Sequence, residues 1–466
     1  MPLLLAGACG GNTSIDVGPM PDAGRGGVDA ATSMDAGRDP DADIDAYTDD
    51  RTDAGLEDTG QSDGGPDAGP PLARDLLAAG HGHTCLLRAD GSLHCWGANG
   101  CGQLGYGITT PVGDDETPRE AGLGSVEVGA SVRGLALGDD HTCVITSSGS
   151  VRCWGCGLHG RLGYGSESNV GDDETPSIAG DVPIAGAFVD LDAAADHTCA
   201  STGLAVACWG LGRYGKLGLG SVSSIGDDEA PSAFASVAAP GENVEDLGLG
   251  DEHSCALAAG RVRCWGSGAY GQLGYGNTED VGDDETPSSA GNVDLGETTP
   301  VIQVASGYAH TCALLANGRV RCWGANGSGQ LGLGHTLQIG DDETPGTQGP
   351  VDVGGAVTQI AVGYAHTCAL LEGGAVRCWG QSNVGQLGRG DVFPIGDDEA
   401  PASRGDVPLE GPATQIAAGY AHTCALLSTG AVRCWGWNSS GQLGLGHTDT
   451  LGDDEDASAT TDVALD

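Results

Sequence analysis

Apolar residues fall in short runs along most of this chain, as in Cys-Ala-Leu-Leu at 312–315, and Gly, Asn, Asp or Ser interrupts them within a few positions. Runs of that length bounded by turn-forming residues predict short β-strands joined by tight turns. None approaches the ~18 apolar residues a spanning helix needs, which excludes a polytopic membrane protein. The 84 glycines argue the same way, against long helices.

The pattern is periodic from residue 72 onward. His-[Thr/Ser]-Cys recurs with its cysteine at Cys85, Cys143, Cys199, Cys255, Cys312, Cys368 and Cys424. Cys-Trp-Gly follows each time, at Trp96, Trp154, Trp209, Trp265, Trp323, Trp379 and Trp435, and then Gly-[Gln/Arg/Lys]-Leu-Gly. A Gly-Asp-Asp-Glu string begins 17 residues after every one of those tryptophans. Self-similarity at this period identifies a repeat architecture. One further period past Cys424 would return to the phase of Cys85, so Asp466 falls at the phase of residue 71. Residues 72–466 therefore hold seven whole repeats and no partial one. A solenoid caps its exposed ends, whereas a ring needs a whole number of blades. The expected fold is all-β, a seven-bladed β-propeller of four-stranded blades. The opening strand around Leu76–Ala79 is expected beside the terminal strand around Val463–Leu465.

The pattern at 419–444, Gly-Tyr-Ala-His-Thr-Cys-Ala-Leu-Leu through Cys-Trp-Gly to Gly-Gln-Leu-Gly, resembles the regulator of chromosome condensation repeat. The resemblance covers all of 72–466 and implies a seven-bladed propeller. Its members include nuclear exchange factors for a small GTPase and a secreted bacterial inhibitor of β-lactamase. The shared residues are blade framework, so function stays open.

Fourteen of the 17 cysteines form His-[Thr/Ser]-Cys…Cys-Trp-Gly pairs separated by nine or ten residues. Where the gap is ten, Gly91, Gly149, Gly318, Gly374 or Gly430 follows its midpoint, the mark of a three-residue hairpin loop. Where it is nine, a two-residue turn fits at Gly203–Leu204 and Ala259–Gly260. Both turns put the cysteines opposite each other at a non-hydrogen-bonded site, within disulfide reach. The expected bridges are Cys85–Cys95, Cys143–Cys153, Cys199–Cys208, Cys255–Cys264, Cys312–Cys322, Cys368–Cys378 and Cys424–Cys434. Zinc needs four clustered ligands, and these pairs lie on separate blades. Persistent disulfides imply the periplasm or the cell exterior. Cys101 and Cys156, left over after the tryptophans of adjacent repeats, are candidates for an inter-blade bridge, the alternative being two unpaired thiols.

The formal charge is −46, with 65 acidic residues against 19 basic ones. Such a chain repels phosphate backbones, which excludes nucleic acid as a partner. Residues 12–71 hold 14 Asp and one Glu against three Arg, and are expected to form a disordered Asp/Ala/Gly/Pro-rich linker. Residues 1–11 resemble the tail of a bacterial lipoprotein signal, with Cys9 after Ala8 as the lipidation candidate. A basic n-region is missing, and a start upstream of Met1 would supply it.

The repeated histidines, His83, His141, His197, His253, His310, His366 and His422, read as structural, since a catalytic site would break the symmetry. The seven tryptophans read as blade core. Gly210–Gly215 and Gly266–Gly271 match the GxGxxG fingerprint but open no helix of a βαβ unit. The Gly-Asp-Asp-Glu set places 21 carboxylates at one repeated position, expected to ring one face. It fits a plain turn, a calcium site or a docking surface for a basic partner, although side chains at adjacent positions tend to diverge. His159 and Lys216 depart from the repeat without nominating a catalytic site.

Three functions are compatible with these residues. The first is a non-enzymatic, exported, lipid-anchored and monomeric scaffold for protein–protein interaction, whose specific form would be inhibition of a secreted enzyme. It meets a membrane only through its anchor and uses no cofactor, calcium at the Gly-Asp-Asp-Glu loops excepted. The second, implied by the resemblance, is guanine-nucleotide exchange or GTPase regulation. The third is a hydrolase or lyase working in the propeller channel.

Overall fold

The computed structural model describes residues 74–232 and 242–465. The signal-like segment with Cys9 and the linker at 12–71 lie outside the described residues.

Each repeat forms one antiparallel sheet of three strands, giving seven sheets. In the fifth repeat Val301–Ser306 pairs with His310–Leu315, which pairs with Val320–Gly324. The turns are those the spacing predicts. Gly91, Gly149, Gly318, Gly374 and Gly430 have φ of 75–91°, and both Ala259 (51°) and Gly260 (70°) are left-handed in the shorter hairpin. The first strands of all seven sheets line a common central cavity of about 300 Å³. The arrangement is a seven-bladed β-propeller.

Two features differ from expectation. The fourth strand shrinks to an edge that donates one ladder bond in each of the six blades where this segment is among the described residues, as from Val126 to Leu93 (2.8 Å) and from Val351 to Val320 (2.9 Å). Its residues follow segments such as Pro-Gly-Thr-Gln-Gly-Pro at 345–350, where proline cannot donate and glycine resists a regular strand. The ends of the ring also sit apart. Leu76–Ala79 is the channel-side strand of the first blade, whereas Val463 donates to Val432 at the outer edge of the seventh. Each repeat supplies a whole blade, so no strand is shared across the seam.

Side chains close the ring instead. Every repeated histidine is fully buried and shares a hydrogen bond through Nε2 with a Thr or Ser hydroxyl of the next blade, from 2.8 Å (His253–Thr311) to 3.0 Å (His310–Thr367). At the seam His422 meets Thr84 at 3.0 Å, like every other junction. Each hydroxyl in turn donates to a carbonyl of the Gly-[Gln/Arg/Lys]-Leu-Gly loop, and the blade tryptophan's Nε1 donates to the same oxygen, as Thr311 and Trp323 do to Gln272. The hydroxyl proton is thereby committed, so it is the histidine that donates through Nε2. Close packing explains the glycine three residues before each histidine in six repeats. A Cβ on Gly307 would lie 2.2 Å from the Gly363 oxygen and 2.7 Å from the His310 ring. The third repeat has Ala194 there, and its strand pairs without a bulge, with Ala194 directly opposite His197.

Candidate binding site at the channel mouth

The strand cysteines form seven disulfides, with Cα atoms 4.0–4.1 Å apart, in the pairing that the turn geometry predicts. Cys101 and Cys156 are the free cysteines among the described residues, so the eighth bridge is not formed in this structure. Their thiols nevertheless share a hydrogen bond across the first two blades. That bond, with help from Arg161, brings the Cys156 thiol down to about 6.

Each Gly-Asp-Asp-Glu loop packs on the preceding blade. Gly171 lies against Gly102, Gly340 against Gly271, and Gly113 against Gly441 across the seam. Contrary to the divergence expected of adjacent side chains, the three carboxylates of a loop come within 4.8 Å of one another, as at Asp114, Asp115 and Glu116. Partial burial, then a hydrogen bond with the neighbouring aspartate, pushes Glu116 and Glu343 up to about 7. These loops are inter-blade joints whose second aspartate faces solvent.

The channel wall breaks the sevenfold symmetry. One position on the first strand is Gln303, Gln359 and Gln415 in the last three blades, and each amide reaches across to the next blade. Gln303 accepts from Ile360 N–H and donates to Ile360 O, both at 2.9 Å. Gln415 does the same to Leu77 across the seam, at 3.0 and 3.4 Å. In the third and fourth blades the same position is Asp190 and Asp246. Asp246 accepts from Val304 N–H at 2.8 Å, and Asp190 Oδ2 is buried without a hydrogen-bond partner. Burial first, and the Asp190 charge second, hold Asp246 well above the usual carboxylate range. An ionised Asp246 thus works against folding above that range, and an amide of the same size would not. Asp246→Asn is expected to raise stability by about 1–2 kcal/mol at pH ~8 and by less at pH ~5. Urea unfolding at both pH values checks this, and an equal gain at both would count against it.

Two residues before each histidine the chain turns at the end of the channel. That position reads His81, Asp139, Ala195, Asp251, Tyr308, Tyr364 and Tyr420, and all seven residues line the cavity. The tyrosine rings follow one another, Tyr308–Tyr364 stacked with centroids 4.5 Å apart and Tyr364–Tyr420 tilted at 4.3 Å, and His81 meets Tyr420 edge-on at 4.2 Å. Asp139 and Asp251 face this aromatic arc. Burial raises both carboxyls, and each is raised further by neighbouring carboxylates, Asp140 for one and Asp139 for the other. Lys216, the chain's one lysine, is buried beside them, with Nζ 2.6 Å from Asp196, 3.4 Å from Glu252 and 2.7 Å from the Asp251 carbonyl. Sequence reasoning searched the loops after the tryptophans for a departure from symmetry and missed this column. Aligning the repeats on their histidines and reading two residues back exposes it.

The remaining candidates stay structural. The tryptophans are fully buried. Gly210–Gly215 and Gly266–Gly271 follow strand ends and lead into tight turns. His159 is a left-handed turn residue (φ 62°) whose N–H donates to Glu167.

Comparison with known proteins agrees with this architecture. Residues 76–103, 132–161, 244–272, 301–330, 357–386 and 413–442 match a profile of the Regulator of chromosome condensation (RCC1) repeat, and 90–145, 259–314, 317–370 and 373–426 match a second. The ultraviolet-B receptor UVR8 of Arabidopsis thaliana is 31% identical over 318 residues, 67% of each protein. The E3 ubiquitin-protein ligase HERC2 of Homo sapiens is 31% identical over 79% of this chain, which spans only 7% of that protein. Human WBSCR16 superposes with a TM-score of 0.61 at 22% identity, covering 79% of this chain and 92% of its own. Prp20p of Saccharomyces cerevisiae gives 0.59 at 20% identity, covering 85% and 87%. At those identities the structures report the fold. The repeat matches and the UVR8 identity go further: this chain belongs to the regulator of chromosome condensation (RCC1) repeat family.

Proposed function

We propose that the protein is a non-enzymatic, exported scaffold that presents one end of its propeller channel to a protein partner, anchored to a membrane by lipid on Cys9. The observation that carries this reading is the set of seven disulfides, one per blade, which suits an oxidising compartment. No helix among the described residues is long and apolar enough to cross a membrane. A protein-binding role is consistent with relatives such as Prp20p, which binds Gsp1p and histones. Inhibition of a secreted enzyme is one form this scaffold would take. In the same compartment the facing thiols of Cys101 and Cys156 would oxidise to an eighth bridge. Guanine-nucleotide exchange or GTPase regulation, implied by the repeat family's nuclear members, has fold likeness behind it, and a channel hydrolase or lyase lacks an identified nucleophile.

Non-reducing mass spectrometry of the natively expressed protein tests the reading. Intact bridges in all seven blades, a Cys101–Cys156 bridge and a diacyl adduct on Cys9 are expected. Free thiols throughout would overturn the compartment and revive the intracellular exchange factor.

A further inference from the structure

We propose that the channel mouth binds the guanidinium of an arginine side chain, presented by a protein partner, between the Asp139 and Asp251 carboxylates and the Tyr308 ring. This rests on the protein-binding reading above and names the chemistry it would use.

The mouth has an aromatic side and an acidic side. Tyr364 lies between Tyr308 and Tyr420, so Tyr308 ends the row of rings, with Asp251, Glu252, Tyr270 and Tyr214 as its other neighbours. Asp251 stands on the fourth blade, its N–H donating to the Gly307 carbonyl beside Tyr308 at 3.3 Å. The charge there is unevenly compensated. Lys216 pairs with Asp196 and Glu252 but touches only the backbone of Asp251. Among the described residues no side chain donates to the carboxylate of Asp139 or Asp251, and His81, Arg161 and Lys216 act on them only through space. Deeper in the same cavity, Asp190 Oδ2 is buried without a partner. The site therefore holds acceptors in excess of donors, next to an aromatic face.

A guanidinium suits this geometry better than the other cations available. It is planar, offers five donors in a fixed fork, pairs with carboxylates bidentately and stacks on aromatic rings. Calcium requires six to eight oxygens around one point, and two carboxylates beside a stack of phenols do not form such a cage. An exposed arginine of a partner is also drawn in by the net negative charge of the chain.

Isothermal titration of the full chain with N-acetyl-Gly-Arg-Gly-amide is the test, with the citrulline and lysine analogues and calcium chloride as parallel probes. The arginine peptide is expected to bind at a single site. Affinity should drop by about tenfold or more in Asp139→Asn and in Asp251→Asn, and should drop in Tyr308→Ala. Asp454→Asn, in a Gly-Asp-Asp-Glu loop, should bind as the unmodified chain does. The aspartate-to-asparagine changes are isosteric, and cooperative thermal melts at or above that of the unmodified chain confirm that the variants fold. Equal binding of the citrulline peptide, undiminished binding by both aspartate variants, no binding at millimolar peptide, or calcium binding in place of arginine would each overturn the proposal. A partner identified independently that binds the Asp139→Asn/Asp251→Asn double variant normally would leave the scaffold function standing and remove this site from it.

Discussion

Complete reduction of the seven disulfides is expected to unfold the propeller at about 37 °C. Each bridge spans nine or ten residues, and closing a loop of that size stabilises by roughly 2–3 kcal/mol. Seven together give on the order of 15–20 kcal/mol, as much as the whole stability of a typical domain. The composition makes the dependence plausible. The chain has three phenylalanines, of which Phe188 is buried in the core, and each blade core centres on its tryptophan, with Leu, Val and Ala around it. Circular dichroism melts with and without a phosphine reductant measure the effect, with mass spectrometry confirming that every bridge is open. A fully reduced protein that melts where the oxidised one does would show that the bridges add nothing to stability.

Acid is the second strong perturbant. Burial pushes His83, His253, His310 and His422 down to about 3 and His366 to about 4, and holds His141 and His197 well below the usual histidine range. The folded chain refuses protons that the unfolded chain accepts from pH ~6.5 downward. Stability that is complete above that value is lost as pH falls toward 3. At pH ~5 each histidine removes roughly 2 kcal/mol, so the seven together outweigh a typical domain's stability. Raised carboxyls work with the opposite sign. Asp192, held at about 7 by burial, favours the folded state as pH falls from about 7 into the ordinary carboxylate range, and Glu116 and Glu343 do likewise. Stability should therefore change little between pH ~8 and ~6.5 and collapse steeply between ~5 and ~4. An acid titration followed by dichroism checks the midpoint, and His366→Gln, which cannot titrate, should shift it downward. A cooperative fold persisting at pH ~3 would refute the argument.

The fold was legible because its determinants recur. A ten-residue gap with a glycine past its centre and a nine-residue gap with a two-residue turn both keep Cys312 opposite Cys322 and Cys199 opposite Cys208, so hairpin and bridge could be read together. What joins one blade to the next was harder to see. That Gly171 rests on Gly102, or that the Gln272 carbonyl receives both Thr311 and Trp323, depends on how blades stack, and spacing within a repeat carries no trace of it. The site was obscured for the opposite reason. Asp139, Asp251 and Tyr308 sit in a column that varies, between a glycine and a histidine that do not, and the framework drew attention away from it. The buried Asp190 and Asp246 escaped notice because an aspartate at a strand position looks solvated until the channel closes around it.

The shared geometry of all seven junctions has a consequence for how the ring assembles. Six of the histidine–hydroxyl bonds join residues 57–59 apart in the chain, whereas His422 and Thr84 are 338 apart. With the same histidine–hydroxyl contact at each junction, the seam is set apart by the extra chain entropy its closure consumes. That difference is about 1.6 kcal/mol from loop length alone. Neighbouring blades should therefore zip together first and leave an open arc with two unsatisfied blade faces. Joining those faces is the slow, long-range event, and the arc that precedes it is the state most exposed to association with other chains.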